Sequence, residues 1–177
     1  SPQITKNYAS GDREYTFSLV ERGARFCFYI MFILSLPLWL EADTILTLWL
    51  KQYPDHTVNF VRLVLVLSLS EILSSTLMYL QLATGKIRNY QLIIGSITLL
   101  NFPFSYATLK LGCPPESPLV IAIVISTLCM MIRLVLLKRT AGLSIRSFIK
   151  NVYINIIYVA ILSSIIPLAI HTMMDEG

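Results

Sequence analysis

From Asn59 to Gln81 the chain reads NFVRLVLVLSLSEILSSTLMYLQ, 23 residues with a single acid, Glu71, near the middle. A helix rises about 1.5 Å per residue, so about 20 residues cross the roughly 30 Å hydrocarbon layer of a bilayer, and this stretch predicts a transmembrane helix. A carboxylate in lipid costs about 2.5–3.5 kcal/mol even on lenient insertion scales, so Glu71 is expected to face a cavity or a partner helix. Ser68, Ser74 and Ser75 lie three or four positions away and share its face. Arg62 lies nine positions away, about 900° of helical turn, which puts it on the opposite face and too far along the axis to pair with Glu71. Each charge needs a partner of its own.

The rest of the chain has the same solvent in view. It is 55% hydrophobic and 14% charged, with a mean hydropathy of +0.69, whereas about a quarter of the residues of a soluble domain are charged. This defines an all-α integral membrane protein. Cys27, Cys113 and Cys129 show no C-x-x-C spacing, which predicts neither a disulfide framework nor a zinc site, and no cofactor is called for. The net charge of +4 is set by location rather than by a nucleic-acid surface. Lys6, Arg13, Arg22, Arg25, Lys86, Arg88, Arg133, Lys138, Arg139, Arg146 and Lys150 fall on one side of the predicted spans, against Lys51, Arg62 and Lys110 on the other. Eleven against three places the first group in the cytoplasm by the positive-inside rule. The chain opens on Ser1 without the pattern of a signal peptide and ends abruptly, which predicts a piece of a longer protein.

Five spans are expected, at about 24–40, 59–81, 88–108, 117–137 and 152–170, with the amino end inside. Residues 1–11 read as a polar lead-in, Asp12 as the N-cap of the first long helix, and Glu14 as a complement to its dipole. Glu21 and Arg25 stand at i,i+4 in the favourable order for an ion pair, and Pro37 should kink the helix. In the outer connection, residues 41–57, Trp39, Trp49 and Tyr53 suit a membrane interface. Its part 45–50 either continues the first helix or lies along the surface, and Asp55 or Thr57 is expected to cap the Glu71 helix. In the third span, with Pro103 near its outer end, Thr98, Asn101, Ser105 and Thr108 draw a polar stripe, which serves either as the second half of a cavity or as helix-to-helix hydrogen bonding. The fourth span is apolar except for Arg133 and is expected to lie largely against lipid, with Arg133, Lys138 and Arg139 marking its cytoplasmic end. Residues 139–150 form a basic, amphipathic linker suited to anionic headgroups, and Pro167 interrupts the fifth span.

The lead-in Ser1-Pro2-Gln3-Ile4-Thr5-Lys6-Asn7-Tyr8-Ala9-Ser10-Gly11-Asp12, the outer Ile45-Leu46-Thr47-Leu48-Trp49-Leu50, and Ala83-Thr84-Gly85-Lys86-Ile87 with Tyr90-Gln91 together resemble the polysaccharide-biosynthesis, or Wzx-type oligosaccharide flippase, branch of the MOP (MATE-like) transporter superfamily. The likeness covers nearly the whole chain and rests on order and spacing rather than on one motif. It implies part of the carboxyl-terminal lobe of a MATE-like helical bundle, entered through the loop between the second and third helices of that lobe, with the amino-terminal lobe and the last helix missing. It also implies a multi-pass protein of the bacterial inner membrane that flips a lipid-linked oligosaccharide, on an undecaprenyl pyrophosphate carrier, to the outer leaflet by rocking of two bundles.

Glu71 is the first candidate site residue, as a coupling-ion or proton site or as an acceptor for sugar hydroxyls, against simple pairing with a base in the missing lobe. Arg22 and Arg25 share a face at i,i+3 and suit pyrophosphate oxygens, against ordinary positive-inside anchoring; Lys86 and Arg88 carry the same two readings. Arg62 either snorkels to outer headgroups or lines an outward-facing cavity, and Asn101 contributes an amide to the polar stripe. Asp55, His56 and His171 on the outer side make no recognisable catalytic constellation, and no Gly-rich phosphate loop or nucleophile motif is present, so no enzymatic activity is expected. Two other functions compete: a cation-coupled multidrug exporter of the same superfamily, and a non-transporting accessory subunit of a polysaccharide assembly complex.

Overall fold

The computed structural model describes residues 2–52 and 54–163. The described residues are 86% helical, with no strand among them. Eight helices follow in order: α1 (Pro2–Ala9), α2 (Arg13–Leu40), α3 (Ala42–Leu50), α4 (Thr57–Ala83), α5 (Ile87–Leu99), α6 (Asn101–Lys110), α7 (Ser117–Thr140) and α8 (Ile145–Phe148). A π-helical turn, Ile149–Ile154, then leads into helix over 155–163. Among the described residues five stretches are long and apolar enough to cross a membrane: Arg13–Leu40, Thr57–Ala83, Ile87–Lys110, Ser117–Thr140 and Ile145–Ser163. Pro167 and His171 lie outside the described residues, as does Tyr53.

Helix α4 is the axis of the bundle, packed between α2 and α7 and touched by α1, α3 and α5. Its Leu73, Leu77 and Leu80 meet Val20 and Ala24 of α2, Leu134 and Leu137 of α7, and Leu143, Phe148 and Val152 of the following segment. Phe148, Leu77 and Val152 are completely buried. In lipid such packing is held by close van der Waals fit more than by removal from water, which makes loss of shape costly here. The core sits at the end of the bundle that carries most of the basic residues, below called the basic end. Two tight reversals frame it, at Gly85 and Gly142, whose φ of 72° and 79° are left-handed values that suit glycine.

Several local expectations change. Residues 2–9 are helical rather than a loose lead-in: Pro2 is pre-set for a first helical turn, and burial of Ile4 in the core repays the ordering. Asp12 does cap α2, accepting from the Tyr15 N–H at 3.1 Å. Helix α2 runs through Pro37 and stops at Glu41, whose N–H returns to the Pro37 carbonyl at 2.9 Å. A separate helix, α3, starts there and buries Ala42 and Leu46 while Leu48 and Trp49 remain more than three-quarters exposed. Neither Asp55 nor Thr57 caps α4. His56 holds that position in a left-handed conformation, φ 73°, and the Thr57 hydroxyl turns back to the Pro54 carbonyl at 2.7 Å. The third span breaks at Leu100, because Pro103 has no N–H for the Leu99 carbonyl and its ring crowds that position.

Candidate membrane-embedded polar site

Glu71 opens onto a cavity of about 230 Å³ between α4, the α5–α6 break and α7. Ser74 and Ser75 line it from α4, Thr98 and Asn101 from the two sides of the break, and Ser126 and Arg133 from α7. The amphipathic stripe thus reaches the site through Thr98 and Asn101. Ser105 instead donates to the Asn101 side-chain oxygen at 3.2 Å, holding that amide in place, and Thr108 lies further out. Among the described residues Glu71 has no hydrogen-bond or ion-pair partner within the chain. Such a carboxylate is free to accept from a ligand, a proton or a passing cation.

Arg133 is the residue that sequence reasoning misplaced. Rather than marking a helix end against lipid, it lies seven positions before Thr140, about 10 Å inside the helix end, and turns into the bundle. One guanidinium nitrogen donates to both the Ser74 carbonyl (3.1 Å) and the Ser74 hydroxyl (2.7 Å). Its plane approaches the Tyr90 ring, with 5.8 Å to the centroid. A charge this deep is costly against lipid, and α7 packs against α4, α5 and α6 on this side rather than facing lipid all round. The signal was present in the sequence: Ser126, Cys129 and Arg133 are spaced three and four apart and share one face of α7. Two polar atoms there keep unused capacity, the Arg133 Nε–H and the Tyr90 hydroxyl, both buried without a partner among the described residues. Buried donors of this kind are costly unless a water or ligand meets them.

The other sequence candidates lie elsewhere. Arg62 donates through Nε to the Trp39 carbonyl at 3.3 Å and stands over the Trp39 ring, 6.0 Å from its centroid. It lines a separate crevice of about 740 Å³ at the end opposite the basic one. The carbonyl is one that α2 leaves unsatisfied where it ends, so Arg62 fastens α4 to that end. In the same crevice His56 Nδ1 meets Glu116 Oε1 at 2.6 Å, and Asn59 donates to the same oxygen at 3.2 Å. The Glu116 carboxyl is held below its usual 4.5, first by its own backbone N–H and then, against the opposing pull of burial, by Asn59 and His56.

The predicted Glu21–Arg25 ion pair does not form. Glu21 accepts from Asn151 (2.9 Å) and Ser147 (3.3 Å), while Arg25 donates to the Asn151 carbonyl at 3.1 Å, so both dock the π-helical turn onto α2. Donors and a carbonyl aimed at α2 satisfy each charge better than a solvent-screened i,i+4 pair. Arg22, one turn away, is exposed, so the structure does not bring Arg22 and Arg25 together with Glu71.

The chain matches no protein-family model, no curated protein and no solved structure. The likeness to oligosaccharide flippases therefore rests on the residues quoted above. What fold and site define is an all-α, multi-pass membrane protein with a charged, hydroxyl-lined cavity among its helices.

Proposed function

We propose that this chain is part of a transporter that moves a lipid-linked oligosaccharide, carried on undecaprenyl pyrophosphate, from the cytoplasmic to the outer leaflet of a bacterial inner membrane. The observation that carries the reading is the cavity that joins Glu71, Ser74, Thr98, Asn101, Ser126 and Arg133 inside the membrane-spanning bundle. Hydroxyl and amide groups beside one free carboxylate and one guanidinium match the donors and acceptors of a sugar. The polyprenyl tail needs no site of this kind, because it can stay in lipid.

The cavity is smaller than the roughly 300–1,000 Å³ of drug-sized pockets and so suits one sugar unit at a time, with the rest of the glycan in space shared with another bundle. The specific argument against a multidrug exporter is the lining. Among the described residues no aromatic side chain lines it, and the fixed Arg133 cation repels the lipophilic cations that such exporters handle.

The test is the sidedness of the lipid-linked oligosaccharide in cells that lack the full-length protein, with wild type or Glu71→Gln restored. Build-up on the cytoplasmic face, cured by wild type and not by a normally inserted Glu71→Gln, supports flipping through this site. Unchanged sidedness on deletion overturns the reading. Dye retention in the same strain would then select an exporter, and stable association with a polymerising complex would select an accessory subunit.

A further inference from the structure

A second feature lies at the basic end, away from the Glu71 cavity. Lys138 at the close of α7, Arg146 on α8 and Lys150 in the π-helical turn line one groove of about 820 Å³, together with Ser144, Ile145, Ile149 and Ile154. Among the described residues none of the three cationic side chains has a hydrogen-bond or ion-pair partner. The acid on the neighbouring helix, Glu21, is engaged by Ser147 and Asn151 on another face of the same segment. Arg146 and Lys150 stand four apart, a spacing at which like charges repel. A rigid frame nevertheless holds all three together: Leu143 and Phe148 are buried, and the Ser144 hydroxyl caps α8 by accepting from the Ser147 N–H.

The π-helical turn completes the groove. Its i→i+5 bonding brings residues five apart over one another, so Ile154 extends the apolar strip begun by Ile145 and Ile149, where an α-helix would turn it away. Ile149 and Ile154 are 39% and 58% exposed, which leaves an apolar wall beside an uncompensated positive one.

An anion attached to hydrocarbon satisfies both walls at once. We propose that this groove binds the phosphate headgroup of an anionic phospholipid, with Lys138, Arg146 and Lys150 around the phosphate and Ile145, Ile149 and Ile154 against the first acyl carbons. Charge complementarity selects the headgroup: basic pockets between spans on the positive side of a membrane protein take anionic lipids, and a free phosphate has no use for the isoleucines. The site is independent of the flippase reading.

The experiment uses the purified chain in phosphatidylcholine nanodiscs that contain phosphatidylglycerol as a minor component, and measures the phosphatidylglycerol retained with the protein on transfer to neutral detergent. Wild type is expected to retain it. K138Q/R146Q/K150Q should retain about a hundredfold less, given the attraction each basic residue exerts on an anionic leaflet. K6Q/K86Q/R88Q removes the same number of charges from the same end and should retain wild-type levels; all six side chains are exposed, so both variants should keep wild-type helicity. Ile149→Ser with Ile154→Ser should lower retention with every charge in place. Equal loss in the two triple variants would reduce the groove to general positive-inside attraction and overturn the proposal. So would retention of undecaprenyl phosphate with exclusion of phosphatidylglycerol in a mixture of the two, since the groove would then belong to a transported carrier.

Discussion

The two charges of the membrane-embedded site differ in how they are held, and that difference predicts how they respond to mutation. Arg133 is bonded to two oxygens of Ser74 and stacked near Tyr90, so it contributes to packing as well as charge. Arg133→Ala should cost about 1–3 kcal/mol, because it removes both bonds to Ser74 and leaves the buried Ser74 hydroxyl without its charged donor. Ser74→Ala should cost less, about 0.5–1.5 kcal/mol, since the guanidinium keeps the carbonyl. The double variant should fall short of the sum, as expected of groups that share one bond. Thermal unfolding in detergent reads all three, and an Arg133→Ala protein that melts with wild type would show that the guanidinium holds nothing. Among the described residues Glu71 has no partner to lose, so Glu71→Gln should keep the stability within about 0.5 kcal/mol of wild type. Loss of transport in that variant then reports function rather than unfolding.

Among the elements, length and hydropathy made the five long helices readable, but not their interruptions: α2 runs on through Pro37, and the third span breaks at Leu100 where the sequence suggested one continuous helix. The Thr98–Asn101 spacing does anticipate a polar face in the third span, where the cavity in fact opens. What sequence could not supply was which helices become neighbours. Glu21 and Arg25 look like an i,i+4 pair until Ser147 and Asn151, more than 120 positions away, offer each a better partner. Ile4 belongs to a stretch that reads as a polar lead-in until α1 is seen to lie against α4. Likewise, His56 became the N-cap of α4 because Glu116 reaches it from the start of α7. That last contact joins the ends of two helices and carries a pH dependence. Its carboxyl sits below the usual value in the folded protein, so the folded state binds this proton less readily than the unfolded chain does. The stabilisation is therefore fully present above the usual value of 4.5 and is lost as pH falls through the lower folded value. Melting temperatures of wild type and Glu116→Gln, compared across that interval, should converge on acidification and separate above it. Parallel curves would mean that the clasp holds only through its neutral bonds.

For the molecule as a whole, the orientation in the membrane decides what every site can reach. Five spans put the two ends of the described bundle on opposite faces, and eleven basic residues against three choose which face is cytoplasmic. Arg133 is the weakest member of the eleven, since it is spent inside the bundle, yet ten against three leaves the same sign. The cysteines offer a direct check, because Cys113 is exposed in the turn between α6 and α7, at the end opposite the basic one, while Cys129 is buried. In a protein carrying Cys27→Ser and Cys129→Ala, a membrane-impermeant maleimide should label Cys113 in intact cells. With Cys113→Ser and Lys86→Cys added instead, labelling should wait for permeabilisation. The reversed pattern would put the basic groove outside, where anionic lipid is scarcer, and turn the proposed direction of transport around. It would also put Arg62 and the Glu116 clasp on the cytoplasmic face, so that the crevice they line became the entrance. Because the Glu71 cavity lies between the two ends, its chemistry would be unchanged, and only the side from which a sugar arrives would differ.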